Sequence, residues 1–422
     1  MWGARRLERA GNGMDAARQG SLSADFERRA PLVVQVVRQY APSRGGLEDV
    51  VANLSRQLQS RGYRVRVVTL DRVFTTLHRK LPARETIDGI EVVRIPFRGS
   101  TRYPFAPEIF RHLKDADLVH VHAIDFFFDA LAWGKVLHGK PLVATTHGGF
   151  FHTSRHAALK RVWFNVATRL SALAYRRVIG CSAQDTRLFR KIAGRRTVEI
   201  GNGADVAKFH GAGATVPLRR IVTIGRFSSN KRLDRLLDAL SQLVVHEPDW
   251  RLFVVGVPGE VTEMQLRAMI AERNLDDNVD VLVGLSNEQI RDVLNGCSLF
   301  ASASEYEGFG LVAVEAMSAG LMPLLHPNQA YADLAGSHPE VRLCDFQNAE
   351  EAAGTIHAAF LGLARDVAGY RIGAMRAANG YSWNKVAGRY AEIYTEILGN
   401  VAPLARVAPA KGGEGNEVAA DG

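Results

Sequence analysis

RRIVTIGRFSSNKRLDRLL, residues 219–237, carries the pattern on which the fold turns. An apolar, β-branched run reads as a buried strand, and after a short polar turn the leucines Leu233, Leu236 and Leu237 recur at helical spacing. The same unit repeats downstream. RLFVVGV (251–257) precedes a helical stretch near 260–273, and VDVLVGL (279–285) and SLFASAS (298–304) follow. Upstream lies a separate series: PLVVQVVRQY (31–40), a helix from about Leu47 to Arg61, RVRVVTL (64–70), EVVRIP (91–96), DLVHVHA (117–123), PLVATTH (141–147), RRVIGCS (176–182) and TVEIGNG (197–203). Strands separated by helical stretches predict an α/β fold with parallel sheets, and two such series predict two doubly wound, Rossmann-like domains facing across a cleft. The expected domains are 31–205 and 206–381. An amphipathic helix within 382–400 would cross back, and 1–30 and 401–422 would be disordered tails.

Composition narrows the class. The 422 residues include 39 glycines and 15 prolines and are 47% hydrophobic, which excludes collagen-like and globally disordered chains. Three cysteines exclude a disulfide scaffold, and Cys181, Cys297 and Cys344 form no C-x-x-C pair. The longest stretch without Asp, Glu, Lys or Arg, Ala316–Ala332, is broken by Gly320, Pro323 and Pro327, whereas a spanning helix needs roughly 20 mainly apolar residues. The N-terminus carries arginines with no apolar core behind them, so it does not read as a secretory signal. The net charge of +9 is unevenly placed. Residues 31–205 hold 28 Lys+Arg against 14 Asp+Glu, and residues 206–381 hold 15 against 21. An anionic partner is therefore expected at the first half. No helix-turn-helix, zinc-finger or RRM signature supports nucleic acid as that partner.

Three motifs carry chemistry. Gly45-Gly46, between the first strand and its helix, would let a phosphate approach a helix N-terminus; a simple turn is the equal alternative. In IGRFSSNKRLDRLL (224–237), Arg226 just past a strand end and Lys231 at the start of the next helix suit a diphosphate. In SEYEGFGLVAVEAMSAG (304–320), Glu307 and Glu315 stand eight residues apart, with Gly308 and Gly310 between them opening backbone N–H groups at a helix start. Such N–H groups and carboxylates can hold phosphate oxygens and sugar hydroxyls. Glu315 sits among Val314, Ala316 and Met317, where an unpaired carboxylate is costly.

At these residues the chain resembles the retaining glycosyltransferases of family 4, which have the GT-B fold. EGFGLVAVE resembles their E-x7-E signature, IGRF…NK their donor-diphosphate motif, and GNGADVAKF (201–209) their turn between domains. SRGGLEDVV (43–51), HVH (120–122) and TTHGGFF (145–151) fall where the family places its N-terminal active-site loops. The run 152–185 is similar to that of the α-mannosyltransferases acting on cellobiosyl-diphosphopolyprenol in acetan and xanthan assembly.

The resemblance implies roles. Arg226 and Lys231 would bind the donor diphosphate, Glu315 the ribose, and Glu307 with Phe309, Gly310 and Leu311 the transferred hexose. Gly46 would approach the donor phosphate, and His147 and Ser182 would line the acceptor side. Of His120 and His122, which share one strand face, His122 at the strand end is the better candidate for a sugar contact, and the other would be core. Zinc would need further ligands that are not evident. Asp115 and Asp117 precede their strand, which makes them poor metal ligands of the D-x-D type. GDP-mannose would be the donor and a polyprenyl-diphosphate-linked oligosaccharide the acceptor, with no cofactor obligatory. The chain would then lie on the anionic cytoplasmic face of the inner membrane, with residues 152–178 at the interface. Alternatives are a UDP-glucose or UDP-GlcNAc donor on another lipid acceptor, or a nucleotide-sugar epimerase on the same fold.

Overall fold

A computed structural model describes residues 30–43, 45–101, 103–147 and 163–399; most of both expected tails and residues 152–162 lie outside them. The chain divides into two compact units, one within Met1–Val121, Gly134–Leu142 and Ala391–Gly422, the other within His122–Trp133 and Val143–Tyr390.

In the first unit, β1 (Leu32–Val36) is buried along its whole length, which accounts for its nearly unbroken apolar sequence. It pairs in parallel with β2 (Arg64–Leu70) on one side and with β7 (Leu118–His122) on the other. β2 pairs in parallel with β4 (Ile90–Ile95), and β3 (Arg84–Ile87) runs antiparallel to β4, an edge strand the sequence pattern did not announce. A small hairpin joins β5 (Arg98–Ser100) and β6 (Tyr103–Phe105). The helix Gly46–Ser60 starts at an extended Gly45 and buries Val50, Val51, Leu54 and Leu58. Asp115 and Asp117 hold the fold together. Arg66 donates to both oxygens of Asp115 at 2.7 and 3.0 Å, and the Leu32 N–H donates to Asp117 at 2.7 Å. His120 is core: its ring lies 2.7 Å from the hydroxyl of Tyr394, on the final helix Trp383–Leu398.

In the second unit, β8 (Leu142–Thr145), β9 (Arg177–Gly180) and β10 (Thr197–Glu199) pair in parallel in that order. A six-stranded sheet follows: β11 (Arg220–Phe227), β12 (Arg251–Pro258), β13 (Val279–Val283), β14 (Leu299–Ser302), β15 (Met322–Leu325) and β16 (Arg342–Leu343). All its pairs are parallel, in the order β13-β12-β11-β14-β15-β16. That is the doubly wound dinucleotide-fold order, in which the direction of winding reverses between β11 and β14. Side chains alternate across the sheet. Ile221, Leu252, Val254 and Leu299 join one buried cluster with Trp250 and Phe360, while Val222, Val255 and Phe300 join another with Met317 and Tyr331. Burial on both faces explains why these strands read as continuous apolar runs. The helices Ala349–Arg365 and Val367–Asn379 were not anticipated.

Candidate active site

In an open parallel sheet the crevice lies at the carboxyl ends of the strands where the winding reverses. Here those ends belong to β11 and β14. Arg226 is the penultimate residue of β11 rather than a residue beyond it, and it is exposed. Lys231 does not begin a helix: it closes the short turn Ser229–Lys231, and the helix starts at Leu233. Lys231 points to a carboxylate across the site. Its Nζ donates to Oε1 of Glu307 at 2.6 Å, with both side chains largely covered.

Close packing builds this turn. A Cβ on Gly225 would lie 3.2 Å from Cε of Lys231, and one on Gly256 would clash with the carbonyl oxygen of Gly225. A Cβ on Gly259 would meet the stem of Arg226 at 2.7 Å. These glycines seat both cations. Asn230 joins the turn to the loop after β14: its side-chain amide donates to the Tyr306 carbonyl at 2.8 Å and accepts from the Tyr306 N–H at 3.0 Å. Arg232, with φ 47°, is held by Asp234 and Glu305.

The loop ends at Gly310, whose φ of 81° and whose 2.6 Å gap to the Tyr331 ring both require glycine. The helix Leu311–Ala319 follows. Gly308 and, in the other unit, Gly46 are different, since nothing lies within 4 Å of a Cβ built on either. Packing does not demand glycine there, and the backbone stays open to an incoming group. Phe309 lies over Gly201, whose Cβ would come within 3.1 Å of the ring, and packs edge-on against Tyr381 at 5.7 Å. Leu311 is half-buried. Glu315, like Glu307, is largely covered, and burial raises its pKa; Lys208, 3.5 Å away, opposes that rise, and Asp205 adds to it. The carboxylate that would be costly to leave unpaired among apolar neighbours is thus paired, by Lys208, which the sequence motifs did not single out.

A second constellation follows β8 in the same unit. His122 Nδ1 and His147 Nε2 lie 2.8 Å apart, so the two expected residues do come together. His147 takes a left-handed backbone, with φ 54°, a strained state for a non-glycine residue. Burial pushes its pKa down to about 3, so the ring is neutral at ordinary pH. Asp185 holds the turn by accepting from Thr146 at 2.8 Å and from the Cys181 thiol at 3.2 Å. Ser182 caps the helix Ala183–Ala193 by accepting from the Asp185 N–H at 3.2 Å. Its hydroxyl thus has a structural duty that the sequence did not reveal. Among the described residues there is no cluster of three His, Cys, Asp or Glu side chains that could hold a metal ion, and no helix long and apolar enough to cross a membrane.

Two Rossmann-like sheets, with cations and carboxylates gathered where the second one reverses, have the architecture of a GT-B glycosyltransferase. A family model described as "Glycosyl transferases group 1" matches residues 213–362, and one described as "Glycosyltransferase Family 4" matches residues 44–208. The chain is 44% identical over 369 residues, 87% of its length and 97% of the relative's, to "GDP-mannose:cellobiosyl-diphosphopolyprenol alpha-mannosyltransferase" of Xanthomonas oryzae pv. oryzae. It is 40% identical to the protein of the same name from Komagataeibacter xylinus, over 90% of this chain and 96% of that one. A glycosyltransferase of Rickettsia africae shares the fold, with TM-score 0.68 and 19% identity over 88% of this chain and 99% of that one. The chain belongs to glycosyltransferase family 4.

Proposed function

We propose that this glycosyltransferase moves α-mannose from GDP-mannose to a polyprenyl-diphosphate-linked cellobiose, forming an α-1,3 link with retention during exopolysaccharide repeat-unit assembly. The shared name of relatives at 40–44% identity across nearly their whole length supports the choice of donor and acceptor. The observation that carries the site is the meeting of Lys231 and Glu307 at 2.6 Å beside the β11–β14 reversal.

In this reading residues 206–381 bind the donor and residues 31–205 receive the acceptor. Lys231 exchanges Glu307 for the diphosphate, and Arg226, exposed beside it, binds the same group. Glu307 is then released toward the mannose hydroxyls, which the backbone of Phe309, Gly310 and Leu311 also holds. Glu315 takes the ribose hydroxyls. The open backbone at Gly46 admits the donor phosphate, and His147, with His122 and Ser182, serves the acceptor sugar. The bond from C1 to the phosphate oxygen breaks as a bond to the acceptor hydroxyl forms on the same face. The hydroxyl proton passes to the departing phosphate, whose charge the two cations neutralise. Positioning and charge stabilisation thus account for the rate.

The acceptor's lipid places the enzyme on the anionic cytoplasmic face of the membrane. Trp163, Val166, Leu170 and Leu173 are exposed at helical spacing, with Arg169 and Arg176 nearby. Trp133 is also exposed, on the helix whose Asp129 accepts from Ser171 at 2.6 Å. Incubation of the enzyme with labelled GDP-mannose, UDP-glucose or UDP-GlcNAc and a cellobiosyl-diphosphopolyprenol acceptor tests the transfer. Label should reach lipid from GDP-mannose alone. Equal transfer from a UDP-sugar, or epimer formation without acceptor, would overturn the reading. Flotation with anionic vesicles at physiological salt tests the membrane surface, and failure to float would remove it.

A further inference from the structure

We infer that Lys208 is a positioning residue for the nucleotide, holding Glu315 in place and ionised so that it can accept the ribose hydroxyls. The inference rests on the proposed ribose role of Glu315. The pair is built from both sides. Glu315 and Ser318 share one face of the helix Leu311–Ala319, and the Ser318 hydroxyl donates to the carbonyl of Val206. That bond brings the turn Asp205–Lys208 against the helix. The Lys208 N–H donates to the Asp205 carboxylate at 3.2 Å, and its carbonyl accepts from Arg291 at 3.3 Å. Its Nζ stands 4.5 Å from the centre of the buried Phe209 ring and 3.5 Å from the Glu315 carboxylate.

The charged groups facing Glu315 are thus one cation, Lys208, and one further carboxylate, Asp205. Burial and Asp205 both favour protonation of Glu315, and Lys208 opposes them. A protonated Glu315 would lose much of its capacity to accept two hydroxyls at once. The sequence offers no signal for this arrangement, because the partners are far apart in the chain and meet only through the fold.

Calorimetric binding of GDP-mannose and its 2′,3′-dideoxy analogue to the full chain, from about pH 5 to about pH 8, tests the inference across the carboxylate range. The diphosphate diester does not itself titrate there. Wild type should prefer the intact ribose. Lys208→Met should lose roughly tenfold in that preference at the acid end, the loss setting in at higher pH than in wild type, because the carboxylate that lost its cation protonates earlier. Lys208→Arg should restore the wild-type profile. A residue of merely structural importance would change melting temperature without moving the pH profile. Lys208→Gln serves the same purpose should the methionine variant fail to fold. Wild-type discrimination at every pH in both variants would overturn the role of Lys208 alone. Failure of wild type to distinguish the two ligands would overturn the ribose role of Glu315, and the inference with it.

Discussion

The loops after β14 and after β8 treat ionisable groups in opposite ways. After β14, charge is answered by charge: Lys231 with Glu307, Lys208 with Glu315, and Arg232 with Asp234 and Glu305. After β8, burial keeps the His147 ring neutral, and it lies 2.8 Å from the ring of His122. A charged ligand can replace a protein carboxylate on Lys231 without leaving a covered cation unpaired, which would be costly. A neutral His147 imidazole offers that exchange to no anion, but it can donate to or accept from a hydroxyl. In the proposed reading the first region serves the diphosphate and the second the uncharged acceptor sugar.

The harshest test of this contrast is Lys231→Ala. It removes the cation proposed to neutralise the leaving diphosphate and strands Glu307, so turnover should fall by about 10²–10³-fold while far-UV circular dichroism stays close to wild type. Steady-state transfer assays measure it. Near-wild-type turnover would break the charged half of the comparison.

Next in size is a pair of glycine variants. Gly310→Ala must place a Cβ against Tyr331 at a positive φ, and should cost about 2–4 kcal/mol in urea unfolding. Gly308→Ala meets open space and should change stability by less than about 0.5 kcal/mol while still reducing transfer, since the added methyl stands where the ligand would approach. Equal destabilisation by both would show that neither glycine is kept for a ligand.

These glycines also mark what the sequence could and could not disclose. Strands were legible because a parallel sheet covered on both faces favours nearly continuous runs of β-branched and other apolar residues, as in Ile221–Ile224 and Leu252–Val255. The fold of the second unit, and the neighbourhood of Arg226, Lys231 and Glu307 at strand ends and of Glu315 one helix further on, followed from turns that periodicity can locate. Their partners could not be read. The contacts of Asn230 with Tyr306 and of Lys208 with Glu315 are made by packing between distant segments, and no local spacing encodes them. Tyr331 has the same character: only the fold shows that its ring is why Gly310 cannot carry a side chain. Lys231 was misplaced by a different mechanism. Its turn was read as the helix start because Arg232, with φ 47°, interrupts a pattern that looks continuous in the sequence.

The neutral half can be sharpened with pH. The unfolded chain protonates His147 near its ordinary value of 6.5, and the folded chain only near 3. Below about 6.5 the unfolded state therefore binds more protons, so stability present at neutral pH is lost progressively as pH falls toward 3. His147→Gln should flatten that acid limb in denaturant titrations at successive pH values. An unchanged slope would mean that the ring is not held neutral.

The smallest expected effect is at Asn230. Its side chain makes two hydrogen bonds to the main chain of Tyr306 and no contact proposed for the ligand, so Asn230→Ala leaves every charged group in place. At about 1 kcal/mol for each bond, the loop carrying Glu307 should loosen enough to raise donor KM by roughly 3- to 10-fold. The turnover number should move less, because Lys231 still reaches the diphosphate once donor is bound. A loss of turnover as severe as that of Lys231→Ala would mean that chemistry depends on the hydrogen-bonded loop and not on the cation. An unchanged KM would mean that the 2.6 Å Lys231–Glu307 contact, with the Arg232–Glu305 pair and the Glu305 N–H bond to the Asn230 carbonyl, holds the two loops together without the Asn230 side chain. In that case the charged pairs would be scaffold as much as site, and the functional contrast with the histidine pair would have to be drawn from Arg226 and Glu315 instead.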